Sequence, residues 1–345
     1  MSGRDDQRGH PAFFFSSQGG AEAAPEGMMG LLVDGQWTQE SYKRDETGRF
    51  QRDVSRFREW IEPGGRFAPE AGRYHLYVSL ACPWAHRVLV ARRLKGLEPV
   101  ISVSVVHPLM LENGWELRDD FPGATGDPIH RADYLHQVYT AAEPRANGRV
   151  TVPALWDCRE GTLVNNESRD LLRMFDHRFE ALAGNDVDLA PADRIEAVDA
   201  AIDAIYQPIN NGVYRCGFAG SQQAYEEAAD ALYAALDHWE EVLGRQRYLC
   251  GDRLTEADIC LYTTLIRFDA VYAVHFKCSQ RQIREYPNLM GYLRELYQMP
   301  AFGETTDFDH IRHHYYRSHA FLNPTGLVAR MPRLDLDAPH GREAV

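Results

Sequence analysis

The sequence predicts two domains, a small α/β layer followed by an all-helical domain. A strand, turn, helix, strand run between residues 74 and 106 carries the first, and an almost unbroken helical pattern from Pro191 onward carries the second. Length agrees, because 345 residues exceed the roughly 250 to 300 that one hydrophobic core usually serves. The expected divisions are an N-terminal extension at 1–65, the α/β domain at 66–182 with an insertion at 107–149, the helical domain at 186–325 and a tail at 326–345.

The extension is polar and rich in glycine, with neither helical nor strand periodicity over a useful length. Leu31, Leu32, Trp37, Phe57 and Trp60 are its expected anchors on the body, and the first 25 or so residues are expected to be loose. Residues 74–80 form a strand candidate. The turn Ala81-Cys82-Pro83-Trp84 leads into a helix at 86–95, where Arg92, Arg93 and Lys95 suit the C-terminal dipole and Gly96 suits the left-handed C′ position. Residues 100–106 read as a second strand, parallel to the first through a right-handed crossover. The stretch 107–149 shows little periodicity, which for its length marks a functional insertion. Residues 151–156 and 163–165, turning near Gly161, read as an antiparallel hairpin, and 168–179 as a closing helix.

In the second half, Ala228, Leu232, Leu236, Trp239 and Leu243 recur every three or four residues and line one face of a helix over 221–243. Thr255 and Asp258 have capping-box spacing, with Leu254 and Ile259 as the hydrophobic staple, and the helix they start runs through Leu261, Leu265 and Ala270. A further helix spans 287–297 and is stopped by Pro300. The last dozen residues read as a frayed tail.

Composition narrows the function. Fifty acidic against thirty-seven basic residues give a net charge of −13, which repels nucleic acid and anionic membrane surfaces. The longest mainly apolar stretch, 99–111, falls short of the roughly 18 residues that a spanning helix needs. Arg4, Asp5, Asp6, Gln7 and Arg8 stand where a secretory signal would be apolar, so a cytoplasmic protein is expected. The six cysteines contain no CxxC pair, which leaves monothiol chemistry.

Cys82 is the candidate nucleophile. It lies between strand and helix with Pro83 at N1, so its sulfur is expected at the positive end of the helix, where a thiol pKa falls and the reactive thiolate is held. A buried structural cysteine is the plainer reading of any free cysteine. The position three residues on is Ala85, so a mixed disulfide on Cys82 would need an external thiol, and glutathione is the abundant one.

These residues carry a resemblance. The Cys82-Pro83-Trp84-Ala85 turn, Arg149-Val150-Thr151-Val152-Pro153, Asn166-Glu167-Ser168 and the Thr255/Asp258 cap resemble a glutathione transferase, with a thioredoxin-like N-terminal domain built on a mixed four-stranded sheet and an all-α C-terminal domain. Asn113-Gly114-Trp115 and Asn210-Asn211-Gly212-Val213-Tyr214 are similar to the xi class, the glutathionyl-hydroquinone reductases. The resemblance implies Cys82 as nucleophile, a cis Val152-Pro153 bond, and glutathione contacts at Trp115, Arg149, Val152, Glu167 and Ser168. It also implies three tyrosines near the sulfur, Tyr214, Tyr272 and Tyr315, with Tyr316 as the alternative to the last.

The implied activity is removal of glutathione from a glutathionylated aromatic diol through a Cys82-glutathione mixed disulfide. Glutathione is the co-substrate, no tightly bound cofactor is needed, and a homodimer through the helical domain is implied. An omega-like thiol transferase or dehydroascorbate reductase would share Cys82, and a non-catalytic binding module is the alternative of another class. His310, His313 and His314 stand a helical turn apart, but no HExxH pattern accompanies them and no metal is expected.

Overall fold

The computed structural model describes residues 28–344. The extension begins with a hairpin, β1 (Met28–Val33) and β2 (Gln36–Ser41), turning through Asp34 and Gly35 at φ 50° and 77°. This corrects the expectation that residues 1–65 lack regular structure. The hairpin's support comes from distant residues: Leu32 exchanges backbone hydrogen bonds with Gly148, and the Trp37 ring stacks on His136. Leu31 and Leu32 are buried, and Phe57 packs edge-on against Tyr139. Trp60 is not an anchor. It stays 36% exposed while its neighbour Ile61 is buried and hydrogen-bonds Met174 Sδ. The expected loose segment lies outside the described residues.

The α/β domain follows in the expected order: β3 (Tyr74–Val78), α1 (Pro83–Leu94) and β4 (Ile101–Val105). The insertion holds a short ribbon, β5 (Met110–Leu111) with β6 (Gly114–Trp115), and a helix, α2 (Leu135–Ala142). It is therefore not without regular structure. Helix α2 has eight residues, too few for its buried Leu135, Val138 and Tyr139 to stand out, and Gln137 Oε1 caps it by accepting from Tyr134 N. Then come β7 (Ala154–Asp157), β8 (Thr162–Asn165) and α3 (Ser168–His177).

The sheet order is β4-β3-β7-β8, with β3 parallel to β4 and antiparallel to β7. All five residues of β3 are buried, as the central strand of a covered sheet must be. Helix α1 ends as its sequence requires: Gly96 takes φ 64°, and Gly96 N and Leu97 N donate to Arg93 O and Arg92 O in a Schellman arrangement.

The helical domain runs through α4 (Ile195–Ile205), α5 (Gly212–Gly217), α6 (Gln222–Leu243), α7 (Glu256–Arg267), α8 (Ala273–His275), α9 (Pro287–Tyr297), α10 (Pro300–Gly303) and α11 (Phe308–Ser318). The predicted face of α6 is buried at all five positions. Thr255 and Asp258 form the capping box of α7, and Asp258 also accepts from Leu249 N and Tyr292 Oη.

Two π-helical stretches were not foreseen, Tyr206–Asn210 between α4 and α5 and Phe268–Tyr272 between α7 and α8. Such wide turns concentrate at functional sites, and both carry residues that face or support the cavity described below. Pro300 does not merely stop α9; it is the first residue of α10. The tail is not frayed either. Leu334 and Leu336 are buried, and Arg342 is buried against Glu295 and the carbonyls of Leu243, Gln246 and Arg247.

Candidate active site

A cavity of about 420 Å³ opens where the extension, the α/β domain and the helical domain meet, and half-buried Cys82 lies on its wall. Strand β3 delivers the chain to this point and Pro83 starts α1 at once, which makes Cys82 the N-cap with extended backbone (φ −75°, ψ 121°). The amides of Ala85 and Trp84 point at the sulfur, as the sequence implies for a helix start.

The surroundings of Cys82 oppose the expected depression of the thiol pKa. Burial pushes the Cys82 thiol upward, outweighing the Ala85 amide, the Arg267 charge, the Trp84 amide and the Arg52 charge, which all favour the thiolate. The thiol instead donates to Val152 O at 3.5 Å. The sequence identifies the helix end but not the hydrocarbon and aromatic walls that close over it.

Arg267, at the end of α7, is fully buried and binds the Cys82 turn from behind. Its Nε donates to Ala81 O at 2.8 Å, Nη2 to Leu80 O at 3.0 Å, and Nη1 to Thr263 O and His86 Nδ1. Burial holds His86 neutral, so its Nδ1 accepts from Arg267 while Nε2–H donates to Thr305 Oγ1 at 2.9 Å. Among the described residues Arg267 has no carboxylate partner; the polar atoms around it are carbonyls, an imidazole and the neighbouring sulfur.

The five residues expected to hold glutathione all line the cavity. The Val152–Pro153 bond is cis, which presents the Val152 backbone to the cavity beside the sulfur. Glu167 caps α3 by accepting from Arg169 N, and Ser168 begins that helix, so a carboxylate acceptor and helix amides adjoin. The extension reaches these groups too: Ser55 Oγ donates to Glu167 Oε2 at 3.0 Å, and Asp53 Oδ2 lies 3.2 Å from Arg149 Nε. Trp115 is buried and stacks on His314, whose ring burial holds neutral with a pKa of about 4.

The tyrosines separate into a wall and a support. Tyr214 and Tyr315 line the cavity; Tyr272 lies behind Tyr315 and is fully buried. Tyr315 Oη joins the other two hydroxyls, at 2.5 Å from Tyr214 and 3.0 Å from Tyr272. Burial pushes all three phenols upward, so each is a proton donor at neutral pH. Tyr316 points elsewhere, to Ala270 O, while Tyr315 is on the cavity wall. His310, His313 and His314 bond separate backbone carbonyls, of Pro122, Asp309 and Pro108.

Arg52, Asp53 and Ser55 were not found from the sequence, because the extension has no periodicity to rank them. Arg267 left a readable signal, an arginine directly after the mainly apolar run 259–266. The Asn210-Asn211 pair was noted only as a motif. Its structural use is specific: Asn210 ties Arg87 of α1 to Cys260 O and Thr264 Oγ1 of α7, and Asn211 Oδ1 accepts from Arg52 Nε.

Comparison with known proteins agrees with this geometry. The models for the glutathione S-transferase N-terminal and C-terminal domains match residues 81–178 and 222–295. The chain is 53% identical over 324 residues to the glutathionyl-hydroquinone reductase YqjG of Escherichia coli (strain K12), covering 91% of this chain and 99% of that one. It is 48% identical over 303 residues to the glutathionyl-hydroquinone reductase PcpF of Sphingobium chlorophenolicum, covering 87% and 95%. A solved xi class transferase from Natrialba magadii superposes with a TM-score of 0.86 at 53% identity, over 91% of this chain and 96% of that one. The glutathione-bound structure of YqjG superposes with a TM-score of 0.84 at 51% identity, over 91% and 99%. With two domains, a cysteine at a helix mouth beside a cis proline, and this degree of identity, the chain belongs to the xi class of the glutathione transferase family.

Proposed function

We propose that the protein is a glutathionyl-hydroquinone reductase, which takes glutathione off a glutathionylated aromatic diol and yields the hydroquinone and glutathione disulfide. The observation that carries this is the cavity itself: Cys82 is the one cysteine among its described lining residues, and the same wall brings together the polar groups Arg149, Glu167 and Ser168 and the aromatic rings of Trp84, Tyr214 and Tyr315. Glutathione lies along Val152, with Glu167 on the γ-glutamyl ammonium, Ser168 and the α3 amides on its carboxylate, and Arg149 and Trp115 closing over it.

When the backbone of the tripeptide pairs with Val152, the Cys82 thiol loses its hydrogen-bond acceptor, and the helix amides and Arg267 are left to favour the thiolate. The thiolate attacks the glutathione sulfur, a sulfur–sulfur bond forms, and the sulfur–ring bond breaks with its electron pair going to the ring. The ring accepts it as the keto tautomer, and the Tyr214, Tyr315 and Tyr272 hydroxyls supply the proton. A second glutathione thiolate then attacks the mixed disulfide and regenerates Cys82.

The test is turnover of glutathionyl-hydroquinone with glutathione, following both products by chromatography and the mixed disulfide by intact mass. Cys82→Ala should abolish product and adduct together, a loss of at least about a thousandfold. Substantial turnover by that variant, or faster reduction of dehydroascorbate than of the conjugate by the wild type, would overturn the reading. A homodimer through the helical domain, checked by light scattering, belongs to the same proposal, as does a reducing, cytoplasmic setting, supported by six free thiols and checked by fractionation.

A further inference from the structure

We infer that Arg52 selects conjugates whose aromatic ring carries an acidic substituent, by pairing with that group in the cavity; this rests on the reductase reading above. Arg52 belongs to the extension, yet its guanidinium lies over the rings of Trp84, at 4.8 Å, and Tyr214, at 4.9 Å. Arg87 lies over the Trp84 ring as well, at 4.3 Å, and both arginines are tied to the Asn210-Asn211 pair. Arg52 is thus held by stacking and by one hydrogen bond, from Nε to Asn211 Oδ1. Its terminal nitrogens keep the planar donor edge that suits a carboxylate.

Among the described residues Arg52 has no ion-pair partner, in a chain of net charge −13. The cavity's two acidic groups are committed on the glutathione side, Asp53 to Lys43 and Arg149, and Glu167 to Ser55 and the start of α3. His314, on the aromatic side, is neutral. Arg267 adds positive charge from behind the Cys82 turn, but its donors are taken up by carbonyls and His86, so Arg52 is the cation over the Trp84 and Tyr214 rings whose terminal donors are left for a ligand. Asp53 next along the chain faces Arg149 while Arg52 faces Trp84 and Tyr214, which places Arg52 with the ring rather than with the tripeptide.

The experiment compares glutathionyl conjugates of hydroquinone and of 2,5-dihydroxybenzoate. Binding is measured by calorimetry to the Cys82→Ala protein, and turnover with the cysteine intact. The wild-type cavity should prefer the carboxylated ring, and Arg52→Met should reduce that preference about tenfold or more in both Kd and kcat/KM, with Arg52→Lys between. A preference unchanged in Arg52→Met, a wild type that favours the neutral ring, or an equal weakening of glutathione alone would each overturn the assignment. Absence of turnover with a retained binding preference would fault the reductase reading and support Arg52.

Discussion

Cys82 is prepared by residues that its own segment does not contain. The helix start gives it two amides, but the charge nearest the turn comes from Arg267, 185 positions away in sequence, and what raises the thiol is its burial, with Val152 O as its hydrogen-bond acceptor. Burial raises the thiol, so in the unliganded protein alkylation of Cys82 should inflect above the free-thiol range of about 8.5. Arg267→Met removes a charge that favours the thiolate, so its inflection should move higher still and kcat/KM near pH 7 should fall roughly tenfold, with Arg267→Lys partly restoring both. A pH profile that does not move would show that Arg267 only holds the turn in place.

At the scale of elements, the beginnings of helices carry much of the specificity. Pro83 starts α1 behind the sulfur, Glu167 and Ser168 start α3 beside the cavity, and Thr255 with Asp258 starts α7, which ends at Arg267. Asp258 is the most committed of these groups, holding Leu249 N, Thr255 N, Thr255 Oγ1 and Tyr292 Oη in the interior. Asp258→Ala strips four buried donors of their acceptor and should cost about 3 kcal/mol, read as a lower denaturation midpoint with an unchanged slope. Asp258→Asn keeps the shape and should recover part of it. The π-helical turns have a different use: they place Tyr206 on the cavity wall and Tyr272 behind Tyr315.

Across the whole molecule, the chain ends act as straps. The extension roofs the cavity, and the tail crosses the helical domain to set Arg342 between Glu295 and three carbonyls. Arg342→Ala leaves Glu295 buried with Arg247 as its remaining ion-pair partner and should cost about 3 kcal/mol. Calorimetry should show the melting temperature several degrees lower, and deletion of 326–345 should lower it at least as far. A melting temperature unchanged by both would mean that the tail packs without stabilising.

The sequence by itself determined what is local or periodic: the α1 cap and its glycine stop, the apolar face of α6, the capping box of α7 and the hairpin turning at Gly161; its family resemblance nominated nine candidate site residues, eight of which line one cavity with Tyr272 behind them. Each is written within a turn or two, in residue types whose backbone or burial preference acts alone, or in motifs held in order. Tertiary structure alone decided the direction of the Cys82 pKa, the entry of Arg52, Asp53 and Ser55 into the site, the choice of Ile61 over Trp60 and the pinning of the tail. These depend on desolvation and on partners distant along the chain, 47 to 186 residues away, or on one residue's offset in register, and neither quantity is periodic along the chain.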